Sequence, residues 1–212
     1  MRDLFVYPSI DCPAGVRHGL ASLSAVLKRE GHETSLIHVN ENLWPIPSNQ
    51  EVVERIREYG PGIIGFSVMS QQYDWTCDLV RDIRAAGLEI PICIGGVHCT
   101  MVPEEVTESG LFDYIAVGEA EYGFLDLVNR LERGEDTTTV SNMRVYRPGG
   151  KSVKNPVGPF PDLAELPDMD WDLFDMERII EVKKGWLSLL TSRGCPYKCT
   201  YCFNKEIVDQ YL

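Results

Sequence analysis

Apolar residues in the first two thirds of the chain follow two different spacings. Short, nearly continuous apolar runs, such as Gly-Ile-Ile-Gly-Phe-Ser-Val at 62–68, predict strands that are buried on both faces. Between these runs, apolar residues recur every three or four positions, as Val16, Leu20 and Leu23 do, which predicts amphipathic helices. The predicted strands are 4–7, 34–39, 62–68, 90–94 and 114–117, and the predicted helices are 16–30, 51–59, 73–86, 103–109 and 120–133.

Five strand–helix units in succession predict an α/β fold for residues 1–134. We expect a doubly wound, five-stranded parallel sheet of the flavodoxin-like type, with strand order 2-1-3-4-5. Ligands of such sheets bind outside the carboxyl ends of the strands, near the switch between strands 1 and 3. The loops that meet there are 8–15, 68–72, 95–100 and 118–121.

Residues 135–185 are predicted to form a hairpin and a linker. Two short strand-like runs at 142–146 and 152–154 flank a turn-forming stretch, Arg-Pro-Gly-Gly, at 147–150. The proline-rich stretch at 156–170 predicts an extended linker, and a short helix is predicted at 172–180. This part of the chain therefore separates the first domain from whatever follows it.

The last part of the chain, residues 186–212, is predicted to begin a second domain. The apolar run at 186–191 predicts a strand. Cys195, Cys199 and Cys202 follow it with the spacing C-x3-C-x2-C, and Tyr201 stands before the last cysteine. Three thiolates on one loop can ligate three irons of a [4Fe-4S] cluster and leave the fourth iron open to a small molecule. A zinc site is the alternative, but no second cysteine or histidine pair follows at zinc spacing.

Composition narrows the class of protein. The chain has 20 basic and 32 acidic residues, a net charge of −12, which argues against a nucleic-acid partner. Its 44% hydrophobic content suffices for a packed core, and no apolar run is long enough to predict a membrane span. The first residues read as a strand rather than a signal peptide, so seven cysteines indicate a reducing compartment. We expect a cytoplasmic protein.

The segment Thr-Ser-Arg-Gly-Cys-Pro-Tyr-Lys-Cys-Thr-Tyr-Cys-Phe-Asn, 191–204, resembles the cluster loop of radical S-adenosylmethionine (SAM) enzymes. The resemblance implies that Cys195, Cys199 and Cys202 carry a [4Fe-4S] cluster whose open iron chelates SAM, with Tyr201 near the adenine. Only ten residues follow Cys202, fewer than one β-α-β unit needs. We therefore expect this chain to be the N-terminal part of a longer enzyme and to be inactive alone.

Residues 1–134 resemble the cobalamin-binding domain that precedes the barrel in one class of radical SAM enzymes. The resemblance rests on the succession of five short motifs rather than on any one of them, and the linker stretches at 166–168 and 171–173 are similar as well. The motifs are Gly-Leu-Ala-Ser-Leu at 19–23, Gly-His-Glu at 31–33, Gly-Phe-Ser-Val-Met-Ser at 65–70, Ile-Gly-Gly-Val-His-Cys-Thr at 94–100 and Val-Gly-Glu-Ala-Glu at 117–121.

This resemblance implies a set of cofactor-binding residues in the loops after strands 3, 4 and 5. Small residues there let the backbone approach a large ligand, and glycines let backbone N–H groups meet phosphate or corrin amides. The alternative is that these glycines only end strands. For Glu119 and Glu121 we expect a role as acceptors at a helix start rather than as acid or base groups. The implied residues are Ser67, Met69, Ser70, Gly95, Gly96, His98, Gly118 and Glu119.

One departure from the family concerns cobalt. Many cobalamin domains carry D-x-H-x-x-G after strand 1, whereas here Asp11 is followed by Cys12 and Pro13. We therefore expect base-off cobalamin without a histidine ligand, its dimethylbenzimidazole tail buried in the sheet. His98 is the rival ligand, but the resemblance assigns it to a loop at the corrin edge.

The resulting hypothesis is a cobalamin-dependent radical SAM enzyme that methylates or oxidatively cyclises a small organic substrate. The family includes methyltransferases and the anaerobic magnesium-protoporphyrin IX monomethyl ester cyclase. Such an enzyme needs an electron donor such as flavodoxin or ferredoxin. Two alternatives stay open: the first domain recognises a substrate or partner without corrinoid, or the chain is a stand-alone corrinoid-binding module.

Overall fold

The computed structural model describes residues 1–147 and 151–209, in which one mixed sheet forms the centre of the fold. The strand order is β2-β1-β3-β4-β5-β6-β7, with the first five strands parallel and the last two antiparallel. The predicted α/β class and the order 2-1-3-4-5 are confirmed. The strands are β1 (Arg2–Pro8), β2 (Glu33–Val39), β3 (Ile63–Ser67), β4 (Ile92–Gly95), β5 (Tyr114–Ala116), β6 (Met143–Arg147) and β7 (Lys151–Lys154).

Helices cover both faces of the parallel strands. Helix α2 shows how local sequence sets a boundary: the Ser48 hydroxyl accepts from the Glu51 amide at 3.3 Å, and the Glu51 carboxylate accepts from the Ser48 amide at 2.7 Å. Two 3-10 turns, Ser70–Gln72 and Trp171–Leu173, accompany the helices. The α-helices are α1 (His18–Arg29), α2 (Asn49–Tyr59), α3 (Tyr73–Ala85), α4 (Val97–Met101), α5 (Pro103–Glu108), α6 (Glu121–Arg133), α7 (Met176–Val182) and α8 (Asn204–Asp209).

The sheet divides the hydrophobic core into two halves. Successive side chains of β1 point to opposite faces, so Leu4 and Val6 pack in the half that contains α2 and α3. Phe5 and Tyr7 pack in the other half, which contains α1 and α6. At the edge of β5 the antiparallel hairpin continues the sheet.

The predicted hairpin is part of the sheet. Strand β6 pairs with β5, and the Asn142 side chain donates to the Val117 carbonyl at 3.0 Å. The Val117 amide in turn donates to the Asn142 carbonyl at 2.8 Å. The predicted turn residues 148–150 lie outside the described part of the chain.

The linker returns along α1. The Asp170 carboxylate accepts from the Ser24 hydroxyl and pairs with the Lys28 ammonium at 2.7 Å. Its backbone amide donates to the Ala21 carbonyl at 3.1 Å. The single helix predicted at 172–180 is divided into a 3-10 turn and α7, because Phe174 between them has an extended backbone and buries its ring.

The prediction of a strand at 186–191 is wrong. These residues have no regular secondary structure, and none of the described strands pairs with them. Trp186 is 76% exposed and Leu189 is 66% exposed. An apolar run forms a strand only where a neighbour accepts its backbone hydrogen bonds, and the Ser188 carbonyl instead lies 3.2 Å from the His18 ring Nε2.

A buried carboxyl group at the start of β1 should make folding depend on pH. Asp3 is 1% exposed, and neither carboxylate oxygen has a hydrogen-bond partner among the described residues. Burial raises the pKa of Asp3 from 3.8 to about 7, with Glu132 adding to the rise and the N-terminal ammonium opposing it. Between these two pH values the folded carboxyl keeps a proton that the unfolded one has lost, so stability falls as the pH rises.

We predict that Asp3→Asn removes this decline. The free energy of unfolding, measured by urea denaturation at pH 5 and pH 8, should shift in favour of the variant by about 3 kcal/mol across that interval. Comparing the two proteins cancels the groups that titrate in both. The same pH slope for variant and parent would contradict the assignment.

Candidate functional site

A cavity of about 530 Å³ lies at the carboxyl edge of the sheet, on the face covered by α1 and α6. Its deep end is lined by Phe5, Gly65, Cys93 and Phe124. It lies where the strand order reverses between β1 and β3, the place at which doubly wound sheets bind ligands. Both its size and its apolar deep end are typical of a small-molecule or cofactor site.

Glycines bring backbone close to backbone in the wall of this cavity. A Cβ atom on Gly65 would lie 2.9 Å from the Phe5 ring. Gly96 has φ +102°, and a Cβ atom there would lie 2.6 Å from the Val68 carbonyl oxygen. These positions accept no side chain without movement of the wall, because neighbouring protein atoms already occupy the space that a Cβ atom would need.

Hydrogen bonds tie the loops around the cavity to one another. The Thr100 hydroxyl donates to the Gly96 carbonyl at 3.1 Å and accepts from the Gly118 amide at 3.0 Å. The Arg17 Nε donates to the Ser67 hydroxyl at 3.1 Å. The loops after β3, β4 and β5 and the loop before α1 therefore form one connected rim.

Residues from the cysteine-bearing segment cover the mouth. Leu190, Ser192, Arg193 and Gly194 line the cavity, as do Asn204 and Ile207 of α8. The Arg193 guanidinium pairs with the carboxylates of Glu119 at 2.6 Å and Glu121 at 2.7 Å. Burial raises the pKa of Glu119, and Arg193 opposes the rise.

The prediction that Glu119 and Glu121 serve as acceptors at a helix start stays a prediction. Helix α6 begins at Glu121, and Ala120 before it makes no side-chain capping bond. Both carboxylates also pair with the Arg193 guanidinium.

The structure brings five of the residues implied by the family together. Ser67, Gly95, Gly96, Gly118 and Glu119 all line the cavity. Each comes from the end of β3, β4 or β5 or from the loop that follows it, so the parallel sheet itself assembles them.

The remaining implied residues of the first domain lie beside the cavity rather than in its lining. His98 is buried on α4, where its Nδ1 is 3.1 Å from the Ser70 hydroxyl and its ring lies 4.3 Å from the Tyr73 ring. Burial lowers the pKa of His98. Met69 lies in the same loop, directly before the 3-10 turn that begins at Ser70.

The three clustered cysteines lie on an irregular loop. Cys199 is exposed, Cys195 and Cys202 are half-buried, and Tyr201 is 91% exposed. The Cys202 amide donates to the Cys199 carbonyl at 3.1 Å. Three thiols suit iron chemically, but across residues 1–147 and 151–209 no three Cys, His, Asp or Glu side chains are grouped as a metal site. This arrangement of the loop does not fit a cluster.

Most residues that line the cavity were not among the cofactor-binding residues expected from the sequence. Gly65 interrupts an otherwise apolar strand, which is a sign of close backbone approach. Arg193 stands in the lead-in to the first cysteine, and Gly19 lies in the first turn of α1. Arg17 carried no signal in the sequence, because its role depends on Ser67, which lies far away along the chain.

The fold and the site together define a doubly wound α/β domain with a ligand cavity at the switch point of its sheet. Residues 15–128 match the family described as B12 binding domain. The chain belongs to this family. The lining of the cavity suits part of a corrinoid, since apolar side chains lie at its deep end and hydroxyl and backbone groups lie at its rim.

Curated relatives include methyltransferases and a cyclase. The chain is 27% identical to an uncharacterized methyltransferase of Pyrococcus horikoshii, over 87% of this chain and 39% of that protein. It is 26% identical to the anaerobic magnesium-protoporphyrin IX monomethyl ester cyclase of Rubrivivax gelatinosus, over 95% and 38%. It is 24% identical to the cytidylyl-2-hydroxyethylphosphonate methyltransferase of Streptomyces wedmorensis, over 92% and 45%. The chain thus spans about two fifths of these relatives.

A solved structure shares the fold. The cobalamin-dependent S-adenosylmethionine radical enzyme OxsB, solved with aqua-cobalamin and S-adenosylmethionine bound, superposes with a TM-score of 0.77 at 23% identity. The match covers 95% of this chain and 28% of that one. No helix in the described part of this chain is long and apolar enough to cross a membrane.

We predict that Gly96→Ala destabilises the domain by roughly 1–3 kcal/mol, since alanine must adopt a left-handed backbone and approach Val68. Gly19→Ala is the matched control, because a Cβ atom at Gly19 has no heavy atom within 4 Å. Urea denaturation should show a loss for the first variant and none for the second. Equal stability of the two variants would contradict the proposed packing.

Proposed function

We propose that residues 1–134 bind base-off cobalamin in the cavity, and that this chain is the N-terminal part of a cobalamin-dependent radical SAM enzyme. The observation that carries the proposal is the cavity itself, which has an apolar deep end and a glycine-containing lining and lies inside the region that matches the B12-binding family. When bound, cobalamin supplies a cobalt centre able to carry a methyl group.

The residues of the cavity divide the ligand between two environments. Phe5, Cys93 and Phe124 would surround the nucleotide tail, an aromatic group that gains from apolar burial. Gly95, Gly118 and Ser67 would offer backbone and hydroxyl groups to the phosphate and corrin amides. Glu119 would complete the rim on the corrin side, and Met69, Ser70 and His98 would support it from beside the cavity.

The histidines near the site support a cobalt without a protein imidazole. His18 lines the mouth, but its Nε2 lies 3.2 Å from the Ser188 carbonyl and its ring packs edge-on to Trp171 at 6.0 Å. His98 lies outside the lining, and Asp11 and Cys12 stand where many cobalamin domains carry their ligand motif. Each imidazole is therefore engaged elsewhere or absent from the pocket.

The activity of the longer protein follows from the family resemblance. It would methylate or oxidatively cyclise a small organic substrate in the cytoplasm, using an electron donor such as flavodoxin or ferredoxin. Cys195, Cys199 and Cys202 would hold the [4Fe-4S] cluster with Tyr201 near SAM, after the loop takes up an arrangement other than the one described here. Residues 135–185 would join the two cofactor domains, and 186–212 would begin the second.

We predict that Gly19→Trp abolishes cobalamin binding while leaving the fold intact. Gly19 lines the mouth, and its Cβ position is open, so an indole would enter the cavity without displacing the wall. The chain would be mixed anaerobically with hydroxocobalamin and desalted, and retained corrinoid read from the ultraviolet–visible spectrum. The parent and the control Gly19→Ala should retain about one equivalent each.

Three results would be decisive. Retention by all three proteins would move the ligand to another surface. Retention by the parent and the alanine variant alone supports the cavity. No retention by the parent would count against the corrinoid proposal and favour a recognition role for the domain.

We further predict that the retained cob(II)alamin form gives an electron paramagnetic resonance spectrum without nitrogen superhyperfine splitting. The spectrum should be the same in His18→Ala and His98→Ala, because neither imidazole reaches cobalt. Nitrogen splitting that disappears in one of these variants would identify that histidine as a ligand and overturn the assignment.

A further inference from the structure

One guanidinium connects three separate parts of the chain. Arg193 reaches Glu119 in the loop after β5, Glu121 at the start of α6 and, at 3.1 Å, the Ser22 hydroxyl on α1. We propose that Arg193 is a positioning residue that fastens residues 190–194 over the cavity as its roof. Closing the cavity and bringing the cysteine loop to its mouth would then be one event. The identity of the enclosed ligand rests on the proposed function.

A buried charge gives this contact its strength. The Glu121 side chain is 2% exposed. It lies about one helical turn before Phe124, which packs in the half of the core that contains α1 and α6. Its Oε1 forms an ion pair with the Arg193 guanidinium at 2.7 Å and accepts from the Ser22 hydroxyl at 2.9 Å, whereas its Oε2 has no hydrogen-bond partner among the described residues. Loss of the Arg193 charge would leave a buried carboxylate unpaired, which strongly destabilises the folded state.

The shape of the side chain also matters. A guanidinium presents several donors in one plane, which allows Arg193 to bond two carboxylates and a hydroxyl at once. A lysine at this position would keep the charge and lose this fork. Arginine and lysine are therefore distinguishable in the experiment.

The rest of the segment is weakly held. Ser188 contacts His18 through its carbonyl and Lys183 through its hydroxyl, at 3.2 Å and 2.9 Å. Trp186 and Leu189 are largely exposed, so little apolar burial retains the segment before Arg193. Within residues 190–194, Arg193 is the residue whose side chain pairs with a buried carboxylate of the domain, and 17% of that side chain is exposed.

The first experiment tests the contact without any cofactor. Thermal unfolding of the 212-residue chain would be compared for the parent, Arg193→Met, Glu121→Gln and the double variant. Arg193→Met alone should lower Tm by of the order of 10 °C, since it strands a buried carboxylate. The double variant should recover most of that loss, because the stranded charge is gone.

Arg81→Met provides the matched control. Arg81 forms an exposed pair with Asp78 on α3, at 2.6 Å and with both side chains more than half exposed. Its removal should leave Tm nearly unchanged.

The second experiment measures release. The chain would be loaded with hydroxocobalamin, and loss of corrinoid into excess buffer followed through rapid desalting at intervals. Arg193→Met should release it at least about tenfold faster than the parent, the equivalent of about 1.4 kcal/mol. Arg193→Lys should fall between them, and Arg81→Met should match the parent.

The outcomes separate this proposal from the corrinoid proposal. Additive Tm changes would show that Arg193 and Glu121 do not meet, and would overturn the inference whether or not cobalamin binds. Coupled Tm changes with unchanged release would reduce Arg193 to a structural ion pair and overturn its positioning role. If the parent retains no corrinoid, the corrinoid proposal fails. Additive or coupled Tm changes then still decide whether Arg193 fastens residues 190–194 to the domain through Glu121.

Discussion

The close approach of the loops after β3 and β4 is the constraint on which the candidate site depends. The Val68 amide donates to the Gly95 carbonyl at 2.9 Å, and Gly96 lies so near Val68 that a Cβ atom would overlap its carbonyl oxygen. Thr100 then extends this contact to the loop after β5 through Gly118. Because these loops support one another, the cavity beneath them stays open without a side chain to fill it.

The fold could be predicted from the sequence because its signals are local. Apolar runs and helical spacing along residues 1–134 specify a parallel sheet, and chain order limits its topology to few arrangements. Helix α4 was missed because five residues are too short to show a period. The pairing of β6 with β5 was also missed, since a hairpin pattern does not reveal which sheet edge it joins.

The candidate site could be predicted only in part, because local sequence patterns mark only some of its residues. Loops at strand ends identify Ser67, Gly95 and Gly118, because parallel strands bring their carboxyl ends to one edge. The pairing of Arg193 with Glu121 depends on how a segment late in the chain crosses α1, and no local pattern encodes that. The apolar run at 186–191 has a strand-like local pattern but forms no strand, because strand pairing is not a local property.

The buried carboxylate of Glu121 makes most sense as a feature of two segments that must separate and meet again. An interface that stays closed is often at least as stable with apolar residues, because burying two charges carries a desolvation penalty that apolar packing avoids. A charged pair, in contrast, can open into water without exposing apolar surface and is specific for one partner when it closes. Residues 190–194 line the cavity together with α1 and the strand ends, so opening this contact would widen the mouth for a ligand. Trp186 and Leu189, which precede Arg193, are largely exposed, and Arg193 leads directly into the cysteines.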